Sequence, residues 1–255
     1  MKFNKLEVSL AKARENHRFI PKISKNKLHN LSFATKICRG AEEQLLWDPI
    51  GFKAGATNKV IQKRFKCKEP FFSYLYDQTS YASGSSIPFQ KHLLGAELEV
   101  AFKIKNKVFF SDKKITKSNV SKFIIGIAPA IEVVGFRQRI NQIDCLGRMI
   151  SDFGLNVAFV FGKIKKYSLK KISNIQTTLI NKKQKKEYTG NTTFVLQHPI
   201  NSVIWLLNRL KREKKYLSFD FWITSGTTTP IAPIKKGDLF IGSIPKLGSV
   251  TTKIS

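Results

Sequence analysis

Acidic residues are scarce in this chain: 17 Asp and Glu stand against 45 Lys and Arg in 255 residues, a formal charge of +28. So lopsided a balance repels itself at low salt and adheres to polyanions. It has two explanations, a nucleic-acid partner or a general taste for Lys alongside Asn, Ile, Phe and Ser. The Lys residues sit mostly in loops and turns without interleaved Arg or aromatics, which favours the second. Cysteine is equally sparse. Cys38, Cys67 and Cys145 are far apart, odd in number and without a CxxC spacing. That argues for reduced thiols and a cytoplasmic protein, against a disulfide framework and against a zinc site. Long apolar runs are missing as well. The N-terminus MKFNKLEVSLAKAREN has no apolar signal core. The longest apolar stretch, 123–136, is interrupted by Pro129 and Glu132, well short of the roughly 20 residues a membrane span needs.

What is present is ordinary globular material, 42% apolar and 24% charged, enough for a real core. Residues 5–16 place Leu6, Val8, Leu10 and Ala13 among charges, the pattern of a short amphipathic helix. A second helix is expected around 34–47. From Asp48 onward the apolar runs are short, rich in Val, Ile and Phe, and punctuated by Gly, Ser, Asn and Pro, which is how strands read. Strands are expected at 51–54, 96–103, 107–110, 128–134, 156–161, 177–181, 186–189, 221–223, 239–244 and 249–254. Helices are expected at 118–126 and 199–214, the latter with Pro199 at its first turn, where a missing N–H costs nothing. The run INKKQKKEY at 180–188 reads as a hairpin turn. It belongs to a basic region, 163–215, with 14 Lys or Arg and 2 Glu. A solvated hairpin tip and outer helix face explain it without a ligand. A phosphate-binding stripe would explain it too, but no aromatic RNA-binding motif, helix-turn-helix or zinc finger accompanies it. One mainly β, α+β domain spanning 1–255 is expected, with a helical N-terminal segment (1–47) and a β-rich core (48–255).

The most informative stretch is Gly95-Ala-Glu97-Leu-Glu99-Val-Ala-Phe102. In a strand, residues i and i+2 share a face, so Glu97 and Glu99 project together while Ala96, Leu98 and Val100 pack opposite. In a chain so poor in acids, two carboxylates side by side repel unless water or a cation intervenes. Glu132 is a further acid inside an apolar run, Pro129-Ala-Ile-Glu132-Val-Val-Gly135, and burying it unpartnered is costly. Three converging carboxylates suit a hard divalent ion with open positions for substrate. The plain alternatives stand at this point: the pair can be the wet face of an amphipathic strand, and Glu132 can pair with Arg137 or Arg139.

Six segments occur in order from about residue 50 to the C-terminus: Gly51-Phe-Lys53-Ala-Gly55-Ala-Thr57, Glu97-Leu-Glu99-Val-Ala-Phe, Pro129-Ala-Ile-Glu132-Val-Val-Gly, His198-Pro199-Ile-Asn201, Thr224-Ser-Gly226-Thr227-Thr-Thr-Pro230 and Gly248-Ser249-Val250. Taken as a set, this pattern resembles the 2-keto-4-pentenoate hydratase and 2-oxo-3-enedioate decarboxylase branch of the fumarylacetoacetate hydrolase superfamily. The resemblance implies a curved mixed sheet or roll, and Mg²⁺ or Mn²⁺ held by Glu97, Glu99 and Glu132. It implies an active-site Lys53 and an acid/base Asp77, the last residue of Pro70-Phe-Phe-Ser-Tyr-Leu-Tyr-Asp77, where the family has P-x-F-G-x-L-x-D. It also implies substrate contacts from Lys53, Gly226, Thr227 and Asp152. Lys53 beside a cation would titrate nearer neutrality. Outside the resemblance, Lys53 reads as one more surface Lys, Asp77 as a turn residue, His198 as a helix cap or a core filler and Thr227 as part of a tight loop.

Three departures bear on the substrate. Gly95 replaces an Arg that the family commonly has two residues before its first metal Glu. An ADN-like segment reads Ser151-Asp152-Phe153, and a GHP reads Gln197-His198-Pro199. No water-activating His–Glu pair of the C–C hydrolase members is present. The implied activity is therefore that of a metal-dependent lyase, hydrating a 2-hydroxy-2,4-dienoate to a 4-hydroxy-2-oxo acid. Decarboxylation of a 2-oxo-3-enedioate is the nearest alternative, followed by C–C hydrolysis. A cytoplasmic homo-oligomer acting on a small 2-oxo acid, without membrane contact or specific nucleic-acid binding, is expected.

Overall fold

A computed structural model describes residues 4–139, 142–166 and 169–255. In chain order the helices are α1 (Lys5–Glu15), α2 (Lys25–His29), α3 (Leu31–Gln44), α4 (Lys59–Arg64), α5 (Leu146–Ser151) and α6 (Pro199–Arg212). The strands are β1 (Pro49–Gly55), β2 (Phe71–Tyr76), β3 (Ser80–Ala82), β4 (Ser86–Ile87), β5 (Leu93–Ile104), β6 (Ile124–Gly135), β7 (Asn156–Phe161), β8 (Gln176–Asn181), β9 (Lys186–Asn191), β10 (Phe221–Thr227), β11 (Ala232–Pro233), β12 (Leu239–Ile244) and β13 (Gly248–Ile254).

Two sheets result. The larger runs β2-β1-β10-β5-β6-β7-β3, with β11 also paired to β5, and it mixes parallel and antiparallel neighbours. The smaller runs β4-β13-β12-β8-β9. The large sheet is strongly curled. Phe161 of β7 stacks on Trp222 of β10 with centroids 4.3 Å apart, although their strands are three places apart, about 14 Å in a flat sheet. Side-chain alternation sorts the two faces. Leu98, Val100, Phe102, Ile127, Ile131 and Val160 point out of the curl into the main core with Leu179, Phe240 and Val250 of the second sheet and Val203, Leu206 and Leu210 of α6. The sheets come close at Gly242, where a Cβ would lie 2.5 Å from Leu98 Cδ1. The inside of the curl carries a small apolar plug, Leu75, Ala101, Ala130 and Phe159 with Phe161 and Trp222, and beyond it the polar residues described below.

The N-terminal helices build a separate apolar cluster. Leu10, Leu28, Ala34, Ile37 and Ala41 pack with Leu146, Ile150 and Phe153. Helix α1 starts from a capping box in which Asn4 and Glu7 satisfy each other's backbone N–H. Helix α6 starts at Pro199, and His198 caps it: Nδ1 accepts the Ile200 N–H at 3.0 Å.

Two expected elements are different in the structure. Residues 106–110 are a 3₁₀ turn rather than a strand. Phe109 stacks on Phe221 at 5.1 Å from that turn, while Phe110 is 80% exposed, so the apolar run covers the core without joining a ladder. The expected helix at 118–126 is a short 3₁₀ segment, Val120–Phe123. Asn119 binds Thr116 N–H and Lys114 C=O through its side chain, a local competitor of helix. Residues 124–126 are taken by β6, whose Gly126 pairs with Lys103. The turn between β8 and β9 is the hairpin read from the basic run.

His92 makes acid stability testable. It is 2% exposed, both ring nitrogens lack a partner among the described residues, and it lies 6.2 Å from the His17 and Phe19 rings. Burial, then the charge of Arg137, push its pKa down to about 3. The unfolded chain takes up a proton below roughly pH 6.5, so its contribution to stability is full above that pH and is lost as pH falls toward about 3. This share is read as a difference: between pH 7 and pH 4 the unfolding midpoint of wild type is expected to lose ground against that of His92→Leu.

Candidate active site

Lys53, Glu97, Glu99 and Glu132 come from β1, β5 and β6 and meet inside the curl. Glu97 stands directly across the ladder from Glu132, and Glu99 across from Ala130, whose small side chain leaves room above it. One carboxylate oxygen from each of the three glutamates lies within 4.8 Å of the others. Glu99 and Glu132 are buried and Glu97 is half-buried. Glu132 does not pair with Arg137 or Arg139. Its partner is Lys53, whose Nζ lies 2.8 Å from Oε1 and 2.9 Å from Oε2, and also donates to Gly154 O at 3.0 Å. β1 and β6 are three places apart in the sheet, so only the curl lets one lysine reach across.

Three carboxylates and one ammonium leave an excess of negative charge in a dry space. Burial, then Glu132, raises the Glu97 carboxyl to about 8 against the pull of Lys53. Burial and Glu132 also hold Glu99 well above the usual carboxylate range. Such a trio of hard oxygen donors fits Mg²⁺ or Mn²⁺. In the metal-free site the same charges act on Lys53 in the opposite sense to a bound cation. Burial works against its ammonium, but Glu132, Glu99 and Glu97 together outweigh it and raise its pKa above the ordinary value.

Other groups fix these side chains. Gly226 N–H donates to Glu99 Oε2 at 2.9 Å. Gly226 has φ +104°, and a Cβ there would lie 1.9 Å from Thr57 Oγ1, so the close approach requires glycine. Asn156 Nδ2 donates to Glu132 Oε1 at 3.1 Å. Gly154, with φ +63°, presents its carbonyl to Lys53.

Several residues expected to meet substrate are committed elsewhere. Asp152 is fully buried: its two oxygens take Arg137 Nη1 and Arg137 N–H, each at 2.7 Å. It braces the loop behind the site instead of facing a ligand. Asp77 is exposed on a 3₁₀ turn beyond the end of β2, with its N–H on Asp48 O at 2.9 Å. The residue of that segment that faces Lys53 across the ladder is Ser73, and Asp77 lies four residues on, about 13 Å along an extended chain. Thr227 Oγ1 is spent within its own loop, donating to Thr229 O at 2.6 Å.

The sequence reading missed Ser73, Thr224, Asn156 and Arg14. Ser73 and Thr224 stand beside Lys53 on the two neighbouring strands, buried, and their hydroxyls have no partner among the described residues. The one available signal was Ser73 itself, which occupies the glycine position of the family's P-x-F-G-x-L-x-D segment. Thr224 opens the Thr224–Pro230 segment, but nothing in the sequence assigned it a role, and nothing marked Asn156 or Arg14.

No family model matches the chain. Curated relatives do. A 2-keto-4-pentenoate hydratase of Paraburkholderia xenovorans is 26% identical over 208 residues, 80% of this chain and 75% of the relative. A 2-oxo-hept-4-ene-1,7-dioate hydratase of Escherichia coli is 28% identical over 215 residues, 80% and 78% of the two chains. Among solved structures, a 4-oxalocrotonate decarboxylase from Pseudomonas putida G7, complexed with magnesium and adipate, superposes with a TM-score of 0.83 at 20% identity, covering 98% of this chain and 96% of that one. Together with the ordered motifs and the carboxylate trio inside a curled sheet, these likenesses, to hydratases in sequence and to a decarboxylase in fold, support the resemblance to the 2-keto-4-pentenoate hydratase and 2-oxo-3-enedioate decarboxylase branch of the fumarylacetoacetate hydrolase superfamily.

Proposed function

We propose that the protein is a divalent-metal-dependent hydratase that converts a 2-hydroxy-2,4-dienoate to a 4-hydroxy-2-oxo acid. The observation that carries the reading is the convergence of Glu97, Glu99 and Glu132 beside the buried Lys53, in a chain whose curated relatives are hydratases. The three glutamates would hold Mg²⁺ or Mn²⁺, which when bound supplies positive charge for the carboxylate and C2 oxygens of the substrate.

The chain's own residues account for the rest. In the overall reaction the 2-hydroxyl loses a proton and C5 gains one, leaving a 2-oxo-3-alkene. Water then adds its oxygen at C4 and a proton at C3. Lys53, poised between Glu132 and Gly154 O, is the group that carries a proton to carbon. Ser73 and Thr224 offer hydroxyls on either side of it that have no partner among the described residues, placed to receive a substrate or water oxygen, since a buried hydroxyl left unpaired costs about 1–3 kcal/mol. Gly226 acts by holding Glu99, Thr227 by shaping the Gly226 loop, and Asp152 by bracing Arg137. In the same reading, residues 1–255 work as a single catalytic domain, in the cytoplasm, as a homo-oligomer. The basic surface takes no specific nucleic acid. Among the described residues no helix is long and apolar enough to cross a membrane.

The test is the ultraviolet signal of freshly generated 2-hydroxypenta-2,4-dienoate, followed with Mn²⁺ and again with excess chelator. Metal-dependent loss of the signal with a product one water heavier is the expected result. Release of CO₂ from a 2-oxo-3-enedioate, without hydration of the dienoate, would overturn the hydratase reading in favour of the decarboxylase.

A further inference from the structure

Arg14 lies in the helical segment that precedes the recognisable motifs, yet its guanidinium ends one residue away from the carboxylate cluster. It is 1% exposed. Nη2 donates to Asn156 Oδ1 at 2.9 Å and Nη1 to Asn156 O at 3.3 Å. Its charged carbon sits 4.6, 5.2 and 5.4 Å from the ring centres of Phe153, Tyr76 and Trp47. Burial, then the neighbouring charge of Arg137, pull its pKa down to about 10, so the cation is kept there against an adverse field. The aromatic rings recover part of that cost, and Asn156 takes the two hydrogen bonds.

The Asn156 amide has two ends of nearly equal shape and opposite polarity. Its Nδ2 faces Glu132 Oε1 at 3.1 Å. Rotated by half a turn, it would set its oxygen against that carboxylate and its N–H against the guanidinium, a mismatch at both ends. Arg14 permits one orientation alone. Arg137, which donates to Asn156 O at 2.9 Å, holds the backbone and leaves the amide to Arg14. Lys53 Nζ is close to both oxygens of Glu132, so it cannot by itself decide which oxygen turns toward the other carboxylates. Asn156 breaks that symmetry by engaging Oε1.

We infer that Arg14 is a positioning residue of the active site: acting through the Asn156 amide, it sets the orientation in which Glu132 presents its carboxylate to the divalent ion. The inference rests on the reading of Glu132 as a metal ligand. It gives the N-terminal helix a part in the chemistry beyond covering the core.

A double-mutant cycle tests it, with Mn²⁺ affinity read from the electron paramagnetic resonance of the free ion. Arg14→Gln is expected to weaken Mn²⁺ about tenfold when Asn156 is present and less than about twofold in an Asn156→Ala background, the coupling of residues that act as one unit. Equal losses in both backgrounds would make Arg14 a general structural clamp, and no loss in either would remove it from the site; each overturns the inference. Arg14→Lys keeps a cation between the rings with a single donor head. It serves the same cycle if the Gln variant does not fold, with the same criterion. The side-chain amide of Asn156, followed by nuclear magnetic resonance in metal-free protein, separates this inference from the metal reading. Its N–H protons are expected to exchange slowly in wild type and rapidly in the Arg14 variants. Failure of the wild type to bind Mn²⁺ would sink the metal reading. Unchanged exchange protection in the variants would sink the role of Arg14 whatever the metal result.

Discussion

Glu97→Gln is expected to destroy metal binding and stabilise the metal-free protein at once. The two effects have one cause. Burial, followed by the charge of Glu132, raises the Glu97 carboxyl to about 8, so at neutral pH its ionised form strains the folded state. A neutral amide of the same shape relieves that strain. Glu97 is half-buried, and with solvent screening the gain is about 1–2 kcal/mol, well below the unscreened shift. The amide is a far poorer ligand, and Mn²⁺ affinity should fall by at least about 100-fold, more than the loss of a group that only supports a ligand. Turnover should fall with it. The pH dependence follows from the same shift. A carboxyl with a raised folded pKa binds more protons folded than unfolded. In metal-free protein the Glu97 share of stability should therefore be lost as pH rises from about 4.5 to about 8, opposite in sign to the His92 share, and it is read as the difference between wild type and Glu97→Gln. Since the ion must displace that proton, Mn²⁺ affinity should climb through the same interval, and Glu97→Gln should lose both trends. Thermal scans with and without Mn²⁺ at several pH values decide this. A variant that still binds Mn²⁺ at wild-type strength would show that the trio is not the metal site.

Lys53→Met is expected to split binding from turnover in the other direction. Lys53 is the counter-charge of Glu132 at 2.8 Å, and among the described residues no other cationic side chain makes a hydrogen bond or ion pair with Glu97, Glu99 or Glu132. Removing it leaves a buried carboxylate unpaired, a loss of about 3–5 kcal/mol in the metal-free protein. Added Mn²⁺ should restore most of that loss, because a divalent ion meets a cluster that is now more negative. Calorimetry should show Mn²⁺ binding at least as tightly as in wild type. Turnover should drop about a thousandfold, the scale of a lost proton-transfer group. Full turnover in this variant would exclude Lys53 from the chemistry. Loss of Mn²⁺ binding in a folded variant would show that Lys53 only builds the site.

How much of this was legible depended on whether the signal was periodic or spatial. The Glu97–Glu99 pair was legible because alternation forces i and i+2 to one face, and β5 obeys it with Leu98 on the other side. Helix α1 was legible from apolar residues spaced among charges, α6 from Pro199 at its first turn, and β12 as a short apolar run. β2 was not, because Phe71-Phe-Ser-Tyr-Leu-Tyr76 is apolar on both faces and has no period. The plain alternative for Glu132, a pair with Arg137 or Arg139, rests on sequence proximity, while a curled sheet brings Lys53 across three strand positions. Asp77 was carried over by motif position, although its segment reaches Lys53 through Ser73 and then leaves. The ring of supports, Asn156 with Arg14 and Asp152 with Arg137, rests on single contacts at long range, and composition carries no trace of those.

The contacts that finish the site share one property, the length of chain between their partners. Lys53 and Glu132 are 79 residues apart, Glu99 and Gly226 are 127, and Arg14 and Asn156 are 142. Each closes a large loop, and such closures come late because their entropy must be met before their contacts repay it. Hairpins such as β5–β6 and β12–β13 form from neighbours. The metal pocket is thus among the last features the chain completes, after most of its secondary structure exists. On the proposed reading the ion would act as a latch on folding: it would bind only the finished arrangement and by mass action draw the population toward it.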